Sequence, residues 1–228
     1  MAKCHHLSDL FNVDLTFLRV RCRDYVIKLW SLAPAKFGLQ SIDIYWRKCQ
    51  YEPYTLCKRL KQGWTPVERA RVQSHLMNGL SQFHDFLARI REVDQGAKLG
   101  CMDDWHLDFM TQDTYGNSRL EPGRLEIKEF CQSNLVNDVF FSVKFKHSDS
   151  NALRVWILHA THQCLIYLGD LSRYLLEFIP RPDLEVPHRY YLQAFQVDPS
   201  NGTPFNQLAT LSGDKCHGLD ATFFYLRG

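Results

Sequence analysis

Arg173, followed at once by Tyr174, is the pair in this chain best suited to chemistry. A planar guanidinium matches two phosphate oxygens at once, and a tyrosine hydroxyl beside it can donate a further hydrogen bond. With about 100° per residue and Cys164 at the middle of the apolar stripe, Arg173 falls half a turn away, in line with His162, Ile166 and Gly169. It therefore faces outward or into a groove, off the buried stripe. Two readings stand. Arg173 is an ordinary solvated arginine pairing with Asp170 or Glu177 along its own helix, worth roughly a few tenths of a kcal/mol, or it is half of a phosphate clamp. The other half would come from a basic stripe upstream. There Arg47, Tyr51, Tyr54 and Lys58 share one side of a helix, with Lys48 at its margin and Arg59 and Lys61 nearby. That stripe is a solvated helix face unless the fold brings it opposite Arg173.

Other constellations are weaker. His159, His162 and Cys164, with Cys216 and His217 further on, are zinc-ligand types. The helical spacing puts Cys164 on the core face and both histidines away from it, which favours a core thiol with surface histidines. Cys4-His5-His6 is a weaker set still. Asp103, Asp104, His106 and Asp108 form an acidic knot, but they lack the glycine-containing calcium-loop pattern and read as a solvated loop. Phosphate-loop, dinucleotide, serine-elbow and helix-borne zinc motifs are missing. A binding module ranks above an enzyme, with no metal and no cofactor expected.

Composition bounds what must position these residues. Of 228 residues, 45% are hydrophobic and 23% charged, which supports a sizeable core and rules out disorder. Lys+Arg 27 against Asp+Glu 25 leaves a net charge of +2, far from the excess of a chain that grips phosphates of nucleic acid, so no direct nucleic-acid binding is expected. No stretch approaches eighteen apolar residues and MAKCHHLSDL lacks a secretory apolar core, so no membrane binding is expected either. The eight cysteines have no short-framework spacing and read as reduced core thiols of a cytosolic or nuclear protein, which makes the Asn201-Gly202-Thr203 sequon accidental.

The periodicity is helical almost throughout. Ser8 and Asp9 can cap a first helix carrying Leu10, Val13, Phe17, Val20 and Val26, and Pro34 with Gly38 breaks the pattern after Trp30 and Leu32. A second helix starts near Ser41, and Pro53 should kink it. A third is capped by Thr65, with Pro66 at its first position and Glu68 completing a capping box. Residues 94–151 read as a long irregular connection, in which Val139–Val143 could be a short strand or a helical turn. A long amphipathic helix follows from about Asn151 to Phe178, then one holding Tyr190, Tyr191, Ala194 and Phe195, and another starting at Thr203-Pro204. Leu168-Gly169-Asp170-Leu171 realigns with Leu208-Ala209-Thr210-Leu211, around Tyr190-Tyr191, Ala194 and Asp198-Pro199. That is tetratricopeptide wording, a small residue at a close helix crossing and a proline-marked turn, and it predicts helical hairpins. The reading is all-α, one domain over 1–228, with the chain ending inside a further helix at Tyr225-Leu226-Arg227-Gly228 as a C-terminally truncated domain would.

Three segments carry a family resemblance. His162 through Tyr174, Tyr190-Tyr191-Leu192-Gln193-Ala194, and Pro204-Phe205-Asn206-Gln207-Leu208-Ala209 closely resemble the Smg five, six and seven family of nonsense-mediated mRNA decay adaptors. Tyr45 through Glu52 and Leu171-Ser172-Arg173-Tyr174 look most like its Smg-five branch. The resemblance is strong over about 150–228 and fair over 42–92. It implies a 14-3-3-like antiparallel helical array with tetratricopeptide-like hairpins, whose groove receives phosphoserine of the phosphorylated Upf-one helicase. Carried over, the phosphate and peptide-backbone roles fall on Arg173, Tyr174 and Asn206. The lysine of the Smg-seven branch aligns with Tyr51, so Lys58 or Lys48 must substitute for it. The resemblance further implies a heterodimer with a Smg-seven-like adaptor, for which the helix around Gly79, Ser81 and Phe83 offers small residues beside an aromatic. The competing reading of that helix is that Leu76, Leu80 and Phe83 are core. A cytoplasmic protein able to shuttle to the nucleus is the implied setting. A purely structural heterodimerisation module that no longer reads phosphate is the competing function.

Overall fold

Prolines and capping side chains set the helix starts. The computed structural model describes residues 10–60, 64–103, 105, 150–179, 183–213 and 218–228, which pack as one unit. Helix α1 (Val13–Leu32) starts from Asn12, whose side chain accepts from Leu15 N at 2.7 Å. The start expected at Ser8 and Asp9 lies outside the described residues. Pro34 opens the next helix instead of breaking the pattern, so α2 (Pro34–Tyr45) begins there and not near Ser41. A proline fits the first turn because that N–H would lack a helical partner anyway. Gly38 sits inside α2 because the indole of Trp156 packs onto it, where a Cβ would overlap the ring.

Pro53 acts differently from the expected kink. A π turn, Trp46–Tyr51, links α2 to α3 (Glu52–Arg59), and the Glu52 N–H closes it on the Arg47 carbonyl. A proline at 53 cannot donate to the Cys49 carbonyl, and its ring crowds that oxygen. The wider π turn absorbs both effects, so the chain bulges without leaving its helical path.

Helix α4 (Pro66–Gly96) opens on the capping box: Thr65 N donates to Glu68 Oε2 at 2.9 Å and Glu68 N donates to Thr65 Oγ1 at 3.2 Å. Its inner face buries Val72, Leu76, Phe83, Phe86, Leu87 and Ile90. Helix α5 (Ser150–Leu175), continued by a 3-10 turn at Leu176–Phe178, is the central rod, and nearly every residue from Ala160 to Ser172 is buried. It packs on α2, α4 and α6 (Glu185–Val197), and α6 leads to α7 (Thr203–Gly213) and α8 (Gly218–Arg227). The tetratricopeptide wording marks real crossings. A Cβ on Gly169 would overlap the ring of the fully buried Tyr191, and Ala209 is fully buried in α7.

Aromatic rings tie α1, α2, α4 and α5 together. Trp30 meets Phe86 at 5.1 Å and Trp156 at 5.5 Å, and Tyr45 meets Phe86 at 5.3 Å. Each such pair adds about 1 kcal/mol beyond the area it buries. The described elements are all helical, and none of their helices is long and apolar enough to cross a membrane. Asp103 ends the described part of the acidic knot. Asp104, His106, Asp108 and the apolar run Val139–Val143 lie outside the described residues.

Candidate functional site

A groove of about 420 Å³ opens between α5 and the π turn. Arg173, Asp170 and Tyr174 line it from α5, and Arg47, Tyr51 and Asp43 line it from the π turn and the end of α2. Trp46 and Tyr167 floor it, stacked at 4.3 Å and 11°, and Gln207 reaches it from α7. Of the basic stripe, Arg47 and Tyr51 therefore face one space with Arg173.

The α5 wall is a built network. Arg173 Nη2 lies 3.2 Å from Asp170 Oδ1, Tyr191 Oη donates to the same oxygen at 2.9 Å, and Arg173 Nε donates to Tyr191 Oη at 3.4 Å. Tyr191 can stand there because Gly169 lets α6 approach closely. The side chains of Arg173 and Asp170 are only 20% and 10% exposed. Burial raises the Asp170 carboxyl above the usual carboxylate range, opposed by Arg173 and Tyr191. For Arg173 burial works against the charge, but Tyr191, Asp170 and Tyr174 outweigh it and hold the guanidinium above its ordinary value. Tyr191 is a neutral phenol at pH 7, which leaves Asp170 as the operative counter-charge. The Arg173 guanidinium also sits 4.9 Å over the Tyr174 ring, which stacks on Tyr54 at 4.1 Å.

The opposite wall is looser. Arg47 Nη2 pairs with Asp43 Oδ2 at 2.7 Å, with side chains 59% and 41% exposed. The hydroxyl of buried Tyr167 donates to Asp43 Oδ1 at 3.2 Å and orients that carboxylate. Tyr51 is exposed at the rim. Each guanidinium has five N–H donors, enough to hold its carboxylate and a second anion together.

The structure corrects several sequence-based placements. Arg173 is mostly buried and so is not a solvated arginine, although it does pair with Asp170 along its own helix and lines the groove. Arg47 stands across from it, not Lys58 or Lys48. Lys58 bonds Glu177 at 3.3 Å, on the oxygen that the Tyr54 hydroxyl also donates to, and Lys48 pairs with Glu52 one turn along its own helix. Asn206 lies against Gly228 at the end of α8, and its neighbour Gln207 faces the groove instead. Phe83 and Gly79 point inward. Phe83 is fully buried, and Gly79 lets Gln50 and Leu171 approach, so only Ser81 of that trio is on the surface. The core alternative holds for Leu76 and Phe83, both fully buried, while Leu80 is half-buried. His162 is likewise buried, with Nε2 unpartnered, while His159 is half-buried and Cys164 fully buried. Cys4-His5-His6 and Cys216-His217 lie outside the described residues, among which no group of three metal-ligand types converges. Cys49, Cys57 and Cys164 are free buried thiols, as their spacing suggested.

Sequence reasoning missed Asp43 and Gln207. Asp43 stands one turn before Arg47, an ordinary helix pairing that only becomes a groove feature when α5 packs alongside.

Known proteins show the same architecture. The family model of the telomerase activating protein Est1 matches residues 40–178, and that of the Est1 DNA/RNA binding domain matches 187–228. The chain is 31% identical over 223 residues to nonsense-mediated mRNA decay factor SMG5 of Homo sapiens and 30% identical over 222 residues to that of Danio rerio, each match covering 96% of this chain. It spans 19% and 18% of those proteins' lengths. SMG7 of Danio rerio is 42% identical over 64 residues, 28% of this chain and 5% of that protein. Among solved structures, the chain resembles one described as the crystal structure of Est1 and Cdc13, with TM-score 0.52 and 16% identity over 93% of this chain and 38% of that one, which shows the shared helical fold.

Proposed function

The chain belongs to the Est1 and SMG5/SMG6/SMG7 family, on its SMG5 branch, and from that premise we propose that it is a phosphoserine-reading adaptor domain of nonsense-mediated mRNA decay. It acts by binding and not by catalysis, in the cytoplasm, with phosphorylated Upf-one helicase as ligand and a Smg-seven-like adaptor as partner. The observation that supports this most is the convergence of Arg47 and Arg173 on one groove beside the phenols of Tyr51 and Tyr174. A phosphoserine brings about two negative charges and three strong acceptor oxygens, which two guanidiniums can share. Phosphate-independent pairing is the second reading, favoured by the carboxylate that each arginine already holds.

Titration of phosphorylated and unphosphorylated Upf-one peptides against the domain separates the two. Arg47→Glu is the informative variant because that side chain is exposed, whereas a glutamate at 173 would face buried Asp170 and disturb the fold. Losing the Arg47 contact should cost about 2 kcal/mol, about thirtyfold in affinity, with circular dichroism unchanged. Equal affinity of wild type and Arg47→Glu, or equal affinity for both peptides, would leave the pairing module as the function.

The partner surface moves accordingly. With Gly79 and Phe83 internal, the outer side of α1 is the better site, since Val13 and Phe17 are 84% and 61% exposed beside Leu18 and Val20. Phe17→Glu with Leu18→Glu should abolish co-sedimentation with the partner adaptor. Unchanged association would exclude α1.

A further inference from the structure

The groove contains charges of both signs, and they are not equally reachable. Asp170 is covered by Arg173 and Tyr191, so a ligand meets that pair mainly as a cation. Asp43 is different: its side chain is 41% exposed, and it shares the groove lining with Arg47 and Arg173. It is also held in place, by Arg47 at 2.7 Å and by the hydroxyl of buried Tyr167 at 3.2 Å. An oriented carboxylate beside two guanidiniums presents a fixed alternation of charge, and the ligand that complements it carries an anion and a cation close together.

Resting on the phosphoserine reading above, we infer that Asp43 is a specificity residue that selects phosphoserine flanked by lysine or arginine and rejects phosphoserine flanked by acidic residues. An acidic neighbour would bring a like charge against a carboxylate that Arg47 and Tyr167 orient toward the groove. A basic neighbour would pair with it while the phosphate draws on the free N–H groups of Arg47 and Arg173. Specificity then arises as much from the repulsive arrangement as from the attractive one.

The test uses three phosphoserine peptides, with lysine, alanine or glutamate on both sides of the phosphoserine, and their unphosphorylated counterparts. Binding is measured for wild type, Asp43→Asn and Glu52→Gln. Asparagine keeps an acceptor for Tyr167, and Glu52→Gln removes an equal surface charge paired to Lys48 outside the groove lining. Wild type and Glu52→Gln should prefer the lysine-flanked phosphopeptide over the glutamate-flanked one by about tenfold, with alanine between, a size expected of one partly screened charge contact. In Asp43→Asn the ratio should fall below about threefold. A wild-type ratio near one, or a ratio that Asp43→Asn leaves unchanged, overturns the inference while phosphate-dependent binding stands. If no phosphopeptide binds better than its unphosphorylated counterpart, the phosphoserine reading fails and this inference falls with it.

Discussion

The two walls of the groove carry the same pair of groups, an arginine and an aspartate one helical turn apart, yet they differ in what the pair does. On the π-turn wall Arg47 and Asp43 are about half exposed, and water screens them. Such a pair contributes about 0.5 kcal/mol or less to stability and remains available to a ligand. On the α5 wall Arg173 and Asp170 are largely buried and share Tyr191. That pair is part of the packing between α5 and α6, and losing one member leaves the other as an uncompensated charge. Burial, and not residue type or spacing, decides which pair belongs to the helix packing and which is held only at the surface.

Acidification should have the largest effect, because burial holds two histidines neutral, one against the π turn and one against α6. His75, bonded to the backbone of Gln50, lies behind the π turn, and His84, 3.0 Å from Tyr190 Oη, lies behind α6. Burial lowers both to about 4 from an ordinary 6.5. Between those values the unfolded chain binds more protons, so stability is complete above pH 6.5 and falls as pH drops toward 4. Each group should remove up to roughly 3 kcal/mol across that window. Urea midpoints at pH 7, 5.5 and 4.5 measure the loss, and His84→Gln should flatten its slope. A flat profile would mean that these histidines are hydrated and the packing around them is loose.

Gly169→Val comes next. The new side chain must displace Tyr191, for an expected loss of about 3 kcal/mol, whereas the same change at Gly96, a helical position whose Cβ would meet open space, should cost nothing. Similar losses at the two sites would erase the contrast in packing. Asp170→Asn should then cost about 2 kcal/mol in urea unfolding, while Asp43→Asn should cost about 0.5 kcal/mol or less. Equal values would show that the two walls are alike after all.

Much of this organisation was readable in the chain. The Thr65–Glu68 capping box, the long stripe of α5 and the small residues at Gly169 and Ala209 are local signals, and the structure honours each. The errors concern how elements are turned toward one another. Pro34 reads equally well as a stop or as a first turn, and Leu32-Ala33 leaves no room for the loop that a stop would need. Pro53 announces trouble in the helix, but a kink and a π turn send Arg47, Lys48 and Lys58 to different sides. Asn206 and Gln207 are adjacent, and only the seating of α7 beside α8 decides which one looks into the groove. Arg173 was placed off the apolar stripe of its own helix, which says nothing about α6 closing over it. Periodicity reports one helix at a time, whereas the groove is made by four.

The π turn also fixes how this segment tolerates changes in length. It holds one residue more than an α-helical path between the same ends would need, and a deletion within 46–51 would return the segment to ordinary α-helix with the ring of Pro53 against the carbonyl four residues before it. Such a deletion would leave α2 and α3 on one path, since the bulge already absorbs the added residue. The extra residue instead sets which side chains of the turn, Trp46, Arg47 and Tyr51, reach the groove together, so a single lost codon there would redraw that wall while the core of α1 and α2 stays in place.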